Sequence, residues 1–292
     1  QPIQMAGICS NPVESARMSN DPMMVFDRRA VRRHRDRAAA SFAAHDFLVR
    51  EVGGRLLERL EAVRRTFPRV LDLGCGNGAM ARALAGRAGG DCLVGADMSL
   101  ALARQAKGSA HAVVVVDEEL PPFAPASFDL VVSTLALHWV NDLPGTLAQI
   151  RRMLRPEGLF LGALFGAGTL TELRQSLLQA ESELEGGARP RVAPFADLAD
   201  GAALMQRAGF ALPVADGEAI TVTYENALRL MHDLRGMAEN NAIAARRRHF
   251  TPRAVFLRAV EIYHDRFALA GGRVKATFQV VVLTGWAPPA GV

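Results

Sequence analysis

Apolar positions along the first part of the chain follow two patterns that alternate. Short uninterrupted apolar runs are typical of strands buried on both faces, whereas apolar residues three or four positions apart are typical of helices. Because strands and helices follow one another in turn, we predict a parallel sheet covered on both faces. Strands are predicted at residues 70–73, 92–96, 112–116, 128–133 and 159–165, and helices at 42–67, 80–87, 99–107 and 143–154.

The pattern changes after residue 165. Two long strand-like stretches, 215–224 and 276–286, enclose two helical ones. We predict that these strands form an antiparallel pair at the edge of the sheet, with the helices between them as an insertion. Helices are predicted at residues 169–183, 202–208, 226–237 and 252–267.

The domain organisation predicted from these patterns has three parts. Residues 1–25 lack the order of a secretory signal and are expected to be a disordered leader. Residues 26–68 are expected to form an N-terminal helical lid, and 69–292 one α/β domain with a helical insertion at about 225–270. No apolar run approaches the roughly 20 residues of a membrane-spanning helix.

Composition changes this picture little. The net charge is +4, and nearly all basic residues are arginines, which we attribute to coding bias rather than to a nucleic-acid surface. Cys9, Cys75 and Cys92 are too few and too scattered for a disulfide framework or a zinc site. A reducing compartment such as the bacterial cytoplasm is therefore expected.

One segment concentrates charge. Residues 28–37 contain six arginines, with His34 and Asp36 between them. The pattern allows two interpretations, a solvated helix face or a basic gate over an acidic substrate.

The sequence LDLGCGNG at residues 71–78 lies where a strand turns into a helix. Its glycines would let a ligand approach the backbone and the free N–H groups of a helix N-terminus. Gly74, Gly76 and Ala79 also satisfy the dinucleotide fingerprint, so the motif alone is ambiguous. Asp97 ends the next strand, where a carboxylate can accept both hydroxyls of a ribose.

Features around this motif distinguish a cofactor that carries an ammonium group from a dinucleotide, which carries a pyrophosphate. Asp72 is placed to meet a cationic ammonium group and would repel a pyrophosphate. The acidic stretch 117–119 follows the third strand, where an acid can accept from an adenine amino group. Residues 134–140 follow the fourth strand and carry His138 and Trp139. This pair is either ordinary core or a wall between cofactor and acceptor, and its members are the candidate catalytic residues.

These segments, with GADMS, DEELPPF and LRPEGLFLGALFG, resemble class I S-adenosylmethionine-dependent methyltransferases, especially the malonyl-carrier-protein methyltransferases of biotin synthesis. The likeness extends to the methyltransferase-like assembly factors of respiratory complex I. The segments shared with those factors are FDR at 26–28, EGG at 185–187, PF at 194–195, RAGF at 207–210, DLRGM at 233–237, ATFQ at 276–279 and GW at 285–286.

The resemblance implies a Rossmann-like α/β fold with a seven-stranded, mostly parallel sheet and S-adenosylmethionine as cofactor. It also implies a lid before the first strand, with Arg28, Arg32 and Arg33 on the substrate side rather than in cofactor binding. The cofactor residues that we expect are Asp72, Gly74, Cys75, Gly76, Gly78, Asp97, Met98, Asp117, Glu118, Thr134 and Leu135.

The resemblance leaves the reaction open. For the assembly factors it implies hydroxylation of an arginine on a complex I subunit, and this partner would bring the protein to the inner face of the membrane. For the biotin enzymes it implies methylation of a malonyl group on an acyl carrier protein. Two rivals are a nicotinamide-dependent oxidoreductase and a non-catalytic assembly protein. We expect no metal, because the pairs His45-Asp46, His232-Asp233 and His264-Asp265 do not match the H-x-D/E ligand motif of non-haem iron enzymes.

Overall fold

The structure, a computed structural model, describes residues 24–195, 197, 201–247 and 249–291. Residues 1–23 of the predicted leader therefore lie outside the described residues. Val25 is the last residue of the predicted leader, and its carbonyl accepts a hydrogen bond of 2.8 Å from the Ala244 amide. In the described part of the chain, no helix combines the length and apolarity needed to cross a bilayer.

Helices come first in the described chain. Helix α1 spans Arg28–Ala38, a 3₁₀ helix spans Ala39–Ala44, and α2 spans Phe47–Glu61. The helix predicted at residues 42–67 is confirmed over Phe47–Glu61, but its predicted bounds are wrong, and at the start this is because the chain turns at His45 and Asp46. Tertiary contacts hold this turn: the His45 ring contacts Asp233, and the Asp46 carboxylate accepts a hydrogen bond of 3.2 Å from the Asn77 side chain.

Strands and helices then alternate as predicted. The strands are β1 (Arg69–Leu73), β2 (Cys92–Asp97), β3 (Ala112–Val115), β4 (Phe128–Thr134) and β5 (Leu154–Phe165). The helices between them are α3 (Ala79–Leu84), α4 (Leu100–Ala106) and α5 (Leu143–Met153). A short 3₁₀ helix, Leu137–Trp139, follows β4.

The last part of the chain contains α6 (Thr171–Glu185), α7 (Gly201–Arg207), β6 (Ala211–Tyr224), α8 (Ala227–Gly236), α9 (Arg253–Phe267) and β7 (Val274–Trp286). The sheet order is β3-β2-β1-β4-β5-β7-β6, with β7 antiparallel to both neighbours and the other pairs parallel. This confirms the predicted seven-stranded fold, and α8 and α9 form the predicted insertion between β6 and β7.

The core lies on both faces of the sheet. On one face, α2, α6, α8 and α9 pack through residues such as Leu56, Leu177, Leu230 and Tyr263. On the other, α5 and α7 pack through residues such as Ile150 and Met205. Strand β3 departs from the predicted burial because it is an edge strand, and Val115 is 49% exposed. An apolar run does not by itself distinguish an edge strand from a central one.

The topology determines where a ligand can bind. Strand β1 lies between β2 and β4, and all three run parallel, so their carboxyl ends meet at the same edge. The strand order reverses its direction of growth between β1 and β4. Open parallel sheets bind ligands at such a point, outside the carboxyl ends of the strands.

Candidate cofactor and acceptor site

The glycine turn after β1 takes a conformation that side chains disfavour. Gly74, Gly76 and Gly78 have φ values of +78°, +53° and +80°. A Cβ on Gly74 would lie 2.2 Å from the Cβ of Ala136, in the segment that follows β4. Glycine at position 74 therefore allows the two loops to pack together beside the predicted cofactor site.

Asp97 supports this turn from the end of β2. One carboxylate oxygen accepts from the Gly76 amide at 3.0 Å, and the other accepts from the Ser99 amide at 2.8 Å. Ser99 in turn caps α4 through Leu102, at 3.2 Å. Asp97 is thus both a helix-start residue and a buried carboxylate beside the glycine turn.

Asp72 is the last but one residue of β1, next to the glycine turn, and is completely buried. Neither of its carboxylate oxygens has a hydrogen-bond partner among the described residues. Burial, and after it the neighbouring charge of Asp97, raises the pKa of Asp72 to about 7. A buried carboxylate without a partner is costly, so this position favours a positively charged ligand group.

The acids predicted to contact adenine are engaged by helix α1. Arg28 donates to Asp117 and to Glu118, both at 2.5 Å, and its Nε lies 3.7 Å from a Glu119 oxygen. Arg35 pairs with the other oxygen of Glu118 and lies 3.4 Å from Asp97. Helix α1 is therefore attached to the cofactor side of the sheet by two buried or nearly buried arginines.

These contacts determine which of the buried carboxylates near the glycine turn are ionised. Burial alone would raise the pKa of Glu118, but Arg35 and Arg28 hold it below its ordinary value. Burial raises the pKa of Asp97. The charge of Arg35 offsets only part of this rise, and the charge of Glu118 adds to it. Of Glu118 and Asp97, Glu118 is thus the carboxylate that α1 holds ionised. Asp97 and Asp72 retain a preference for a further cation.

This arrangement corrects one interpretation of residues 28–37. The segment is not a uniformly solvated face, because Arg35 and most of Arg28 are buried. Arg28, which we predicted on the substrate side, binds Asp117 and Glu118. Arg32 and Arg33 do lie on the exposed face, with Arg33 3.9 Å from Asp27.

Arg35 is a site residue that sequence reasoning missed. Its spacing from Arg28 was a usable signal, because residues seven apart share one helix face. Val31 and Ala38 occupy that same face and are buried.

The segment after β4 forms the opposite wall of the site. Leu135 has φ of +51°, and its amide donates to the Ala163 carbonyl at 2.8 Å. The Thr134 hydroxyl is buried and has no hydrogen-bond partner within the described chain. A ligand at the glycine turn would therefore meet a free hydroxyl on this side.

His138 and Trp139 are both buried and converge on one carboxylate, that of Glu239. His138 Nε2 lies 3.1 Å from Oε2 of Glu239, and Trp139 Nε1 donates to the same oxygen at 3.0 Å. Glu239 follows α8, about a hundred residues away in sequence, so no local pattern could associate it with this pair.

Two cavities meet at Glu239. The first, of about 40 Å³, is at the glycine turn, where Phe42, Arg35 and Ala238 narrow it. We call it the cofactor cavity. Of the predicted cofactor residues, it brings together Asp72, Gly74, Cys75, Gly76, Asp97, Thr134 and Leu135.

The remaining predicted cofactor residues lie around this cavity. The Glu118 carboxylate lies behind Gly74, 3.9 Å from where a Cβ would be, and Asp117 is bound to Arg28. Met98 packs in an apolar cluster with Trp139. Gly78 approaches Ser109, so its role is to let α3 and α4 pack closely.

The second cavity, of about 250 Å³, we call the acceptor cavity. Trp139, Phe165 and Phe195 form an aromatic wall, and the ring centroids of Phe165 and Phe195 are 5.7 Å apart. Glu239, Arg191 and Arg235 supply charged groups. Arg191 is paired with the buried Glu181, whereas Arg235 is exposed.

Fold and site together define the class of protein. A doubly wound sheet with a glycine turn after β1 and an acid ending β2 is typical of enzymes that bind an adenosine-containing cofactor. The unpaired carboxylate of Asp72 beside that turn fits a cofactor carrying an ammonium group and disfavours a pyrophosphate.

Comparisons with known proteins agree with this class. Residues 71–162 match a family model described as a methyltransferase domain. The chain is 40% identical over 274 residues to the mitochondrial arginine-hydroxylase NDUFAF5 of Danio rerio, covering 92% of this chain and 85% of that protein. It is 34% identical over 279 residues to the malonyl-[acyl-carrier protein] O-methyltransferase of Methylovorus sp. (strain MP688), covering 92% of each.

A solved structure shares the fold. The YcgJ protein from Bacillus subtilis aligns with a TM-score of 0.56 at 17% identity, covering 80% of this chain and 98% of that one. The chain belongs to the S-adenosylmethionine-dependent methyltransferase family, in which it is similar both to the arginine hydroxylases and to the malonyl-carrier-protein methyltransferases.

Proposed function

We propose that this enzyme binds S-adenosylmethionine at the glycine turn and modifies an arginine side chain of a protein acceptor during assembly of the respiratory NADH dehydrogenase. The observation that carries the acceptor assignment is the Glu239 carboxylate beside the aromatic wall of the acceptor cavity. The relative from Danio rerio, named an arginine hydroxylase, is consistent with it.

The acceptor cavity suits a guanidinium group for two physical reasons. A guanidinium stacks on aromatic faces, and Trp139, Phe165 and Phe195 offer three. It also pairs with carboxylates, and Glu239 is held in place by hydrogen bonds from His138 and Trp139 to one oxygen. Its other oxygen is available for the acceptor, at the junction with the cofactor cavity.

On the cofactor side, the roles follow from charge and position. Asp72 would receive the ammonium group, and the glycine turn would lie against the cofactor backbone. Asp97 would accept from ribose hydroxyls, and Thr134 would offer its buried hydroxyl. When bound, S-adenosylmethionine supplies an electrophilic methyl group on a sulfonium. A positioned acceptor next to it gains reactivity mainly from proximity.

We also propose that α1 and the 3₁₀ helix Ala39–Ala44 act as a lid. A cavity of about 40 Å³ is much smaller than the several hundred Å³ typical of cofactor pockets. Arg35 and Phe42 line it from the lid side, so entry of a cofactor requires them to move outward. This lid belongs to residues 26–68, the part of the chain that precedes the α/β domain.

A deletion strain tests the acceptor assignment. Subunits of the NADH dehydrogenase peripheral arm would be examined by high-resolution mass spectrometry before and after complementation. We expect an arginine modification that is lost on deletion and restored by the wild-type gene. An added oxygen and an added methyl group differ in mass, so the same spectra identify the reaction.

Variants make this test specific. Glu239→Gln should leave the modification absent, while Glu261→Gln, on the exposed face of α9, should restore it. Full modification with Glu239→Gln would contradict the arginine site. Normal assembly of NADH dehydrogenase in the complemented strain, without any modified arginine, would instead indicate a non-catalytic assembly protein.

The alternative function is O-methylation of a malonyl group on an acyl carrier protein, and one observation favours it. Arg235 is an exposed cation that lines the acceptor cavity and could receive an acidic acceptor. The Methylovorus relative bears that activity in its name. A deletion strain that requires biotin but assembles NADH dehydrogenase normally would establish this alternative. Both functions are consistent with the bacterial cytoplasm, which we propose as the location.

A further inference from the structure

Two histidines and an aspartate meet outside the cofactor and acceptor cavities. His45 lies at the turn before α2, and His232 and Asp233 are on α8, so the set joins parts of the chain almost two hundred residues apart. One ligand atom from each lies within 4.8 Å of the others. The sequence showed only the separate pairs His45-Asp46 and His232-Asp233, neither of which is a ligand motif.

The distances are near those of a coordination shell. His45 Nδ1 lies 3.1 Å from Oδ1 of Asp233, and His232 Nδ1 lies 3.8 Å from the same oxygen. An ion about 2.1 Å from each ligand atom requires the ligands to be roughly 3–3.5 Å apart. His232 is mostly exposed and can complete the approach by rotating its side chain.

We propose that His45, His232 and Asp233 bind a divalent first-row transition metal ion, Fe²⁺ or Zn²⁺. Two imidazoles and one carboxylate are a recurrent ligand set for both ions, with the remaining positions left to water or another ligand. The surroundings favour this over an ordinary histidine–aspartate pair, because a second imidazole is packed 5.3 Å from the first, centroid to centroid.

The packing around the cluster keeps the first imidazole in position. A Cβ at Gly236 would lie 2.2 Å from the His45 ring, so glycine there allows the ring to pack directly on α8. The Tyr224 hydroxyl is buried and has no hydrogen-bond partner in the described chain. Tyr224 and Asp233 also line a common surface cavity, which gives solvent access to the carboxylate.

The ion would join two elements that line the cofactor cavity. His45 ends the 3₁₀ helix that carries Phe42, and Asp233 precedes Met237, Ala238 and Glu239 on α8 and its extension. Phe42 packs in one apolar cluster with Ala238, and both line the cofactor cavity. A bound metal would therefore hold the lid against the inserted helix and order the site without contacting the cofactor.

Metal binding to the full-length purified protein tests the proposal. After treatment with a chelator and its removal, Fe²⁺, Zn²⁺ and the spectroscopic probe Co²⁺ would be titrated separately, with the metal content measured by plasma mass spectrometry. We expect saturable uptake of one ion per chain and a rise in Tm of roughly 5 °C at a hundredfold excess over Kd. The relative affinities decide between iron and zinc.

Variants identify the ligands. His232→Ala and Asp233→Asn should each weaken metal binding by about tenfold or more. His264→Ala is the matched control, because His264 is also an exposed histidine followed by an aspartate but lies on α9. Circular dichroism of each variant shows whether it is folded; His232 is exposed, so His232→Ala should fold normally.

Two results would overturn the proposal. One is the absence of saturable uptake of any of the three ions by the wild-type protein. The other is uptake that His232→Ala and Asp233→Asn leave unchanged. Since this test measures metal content and affinity, it is independent of which acceptor the enzyme uses.

Discussion

Both oxygens of Asp72, near the carboxyl end of β1, are buried, and within the described chain neither has a hydrogen-bond partner. Asp97 lies close enough to raise the pKa of Asp72 further, to about 7. Such a carboxylate destabilises the protein without ligand when it is ionised, and it gains most from a cation placed beside it.

Asp72→Asn should therefore stabilise the ligand-free protein in a pH-dependent way. The folded pKa of about 7 exceeds the ordinary value of 3.8, so the free energy of unfolding of the wild type falls as pH rises between these values. At pH 8 the variant should be more stable by about 1–3 kcal/mol, after allowing for an unsatisfied buried amide. The gain should shrink toward pH 5.

Urea denaturation at pH 8 and pH 5 measures this difference. Asp91→Asn, on an exposed side chain at the start of β2, serves as the control and should change stability little at either pH. An equal effect of Asp72→Asn at both pH values would show that Asp72 is not ionised with the cost described.

Asp97→Ala should weaken binding of S-adenosylmethionine by about tenfold or more, because a charge-assisted hydrogen bond contributes roughly 1.5–3 kcal/mol. It should also lower stability, since Asp97 accepts from the amides of Gly76 and Ser99. Calorimetry at a temperature where the variant is folded separates the two effects. Unchanged affinity would mean that Asp97 serves only the glycine turn and the start of α4.

Local sequence predicted the residues at the strand ends because the glycine turn and the acid after β2 are consecutive with their strands. Asp72, Gly74, Gly76 and Asp97 do line one cavity, as predicted. Glu239 could not be predicted in the same way. Its position depends on α8 folding back over the sheet, which is a tertiary contact without a local signature.

At the scale of elements, α1 presents two different faces. The buried face carries Arg35, which pairs with Glu118 and Asp97, and the exposed face carries Arg32 and Arg33. Removing a partner from a buried ion pair typically costs about 3–5 kcal/mol because the other charge is left uncompensated.

Arg35→Met should thus loosen α1 strongly, whereas the double reversal Arg32→Glu and Arg33→Glu should not. We expect hydrogen exchange in residues 28–44 to accelerate in Arg35→Met and to remain near wild type in the reversal. The reversal should reduce acceptor processing and spare cofactor affinity. Loosening of α1 by the reversal, but not by Arg35→Met, would contradict this division of the helix.

The bounds of helices and strands were predicted well where the local hydrophobic pattern determines them. They were predicted poorly where tertiary contacts determine them. The start of β5 at Leu154, earlier than the apolar run at 159–165, depends on its pairing with Phe128. The break between the 3₁₀ helix and α2 depends on contacts of His45 and Asp46 with distant residues. Periodicity cannot report either, because both depend on partners far away in the chain.

At the scale of the whole molecule, the insertion between β6 and β7 turns a cofactor-binding sheet into a two-cavity site. Helix α8 leads to Glu239, where the cofactor and acceptor cavities meet. The sequence predicted the insertion but not that its first helix would close the site together with α1.

The molecule also separates charge in a way that selects its cofactor. Asp72 and Asp97 place buried negative charge at the glycine turn. Of the nearby arginines, Arg28 is bound to Asp117 and Glu118, and Arg35 pairs with Glu118 and lies 3.4 Å from Asp97. A sulfonium cofactor with an ammonium group is favoured by this field, and the pyrophosphate of a nicotinamide nucleotide is repelled.

Isothermal titration calorimetry of the purified protein with S-adenosylmethionine, S-adenosylhomocysteine and NAD tests the central claim most directly. We predict one binding site for each of the first two ligands, no measurable binding of NAD, and loss of binding of the first two in Asp72→Asn. Binding of NAD as tight as or tighter than that of S-adenosylmethionine would contradict the account.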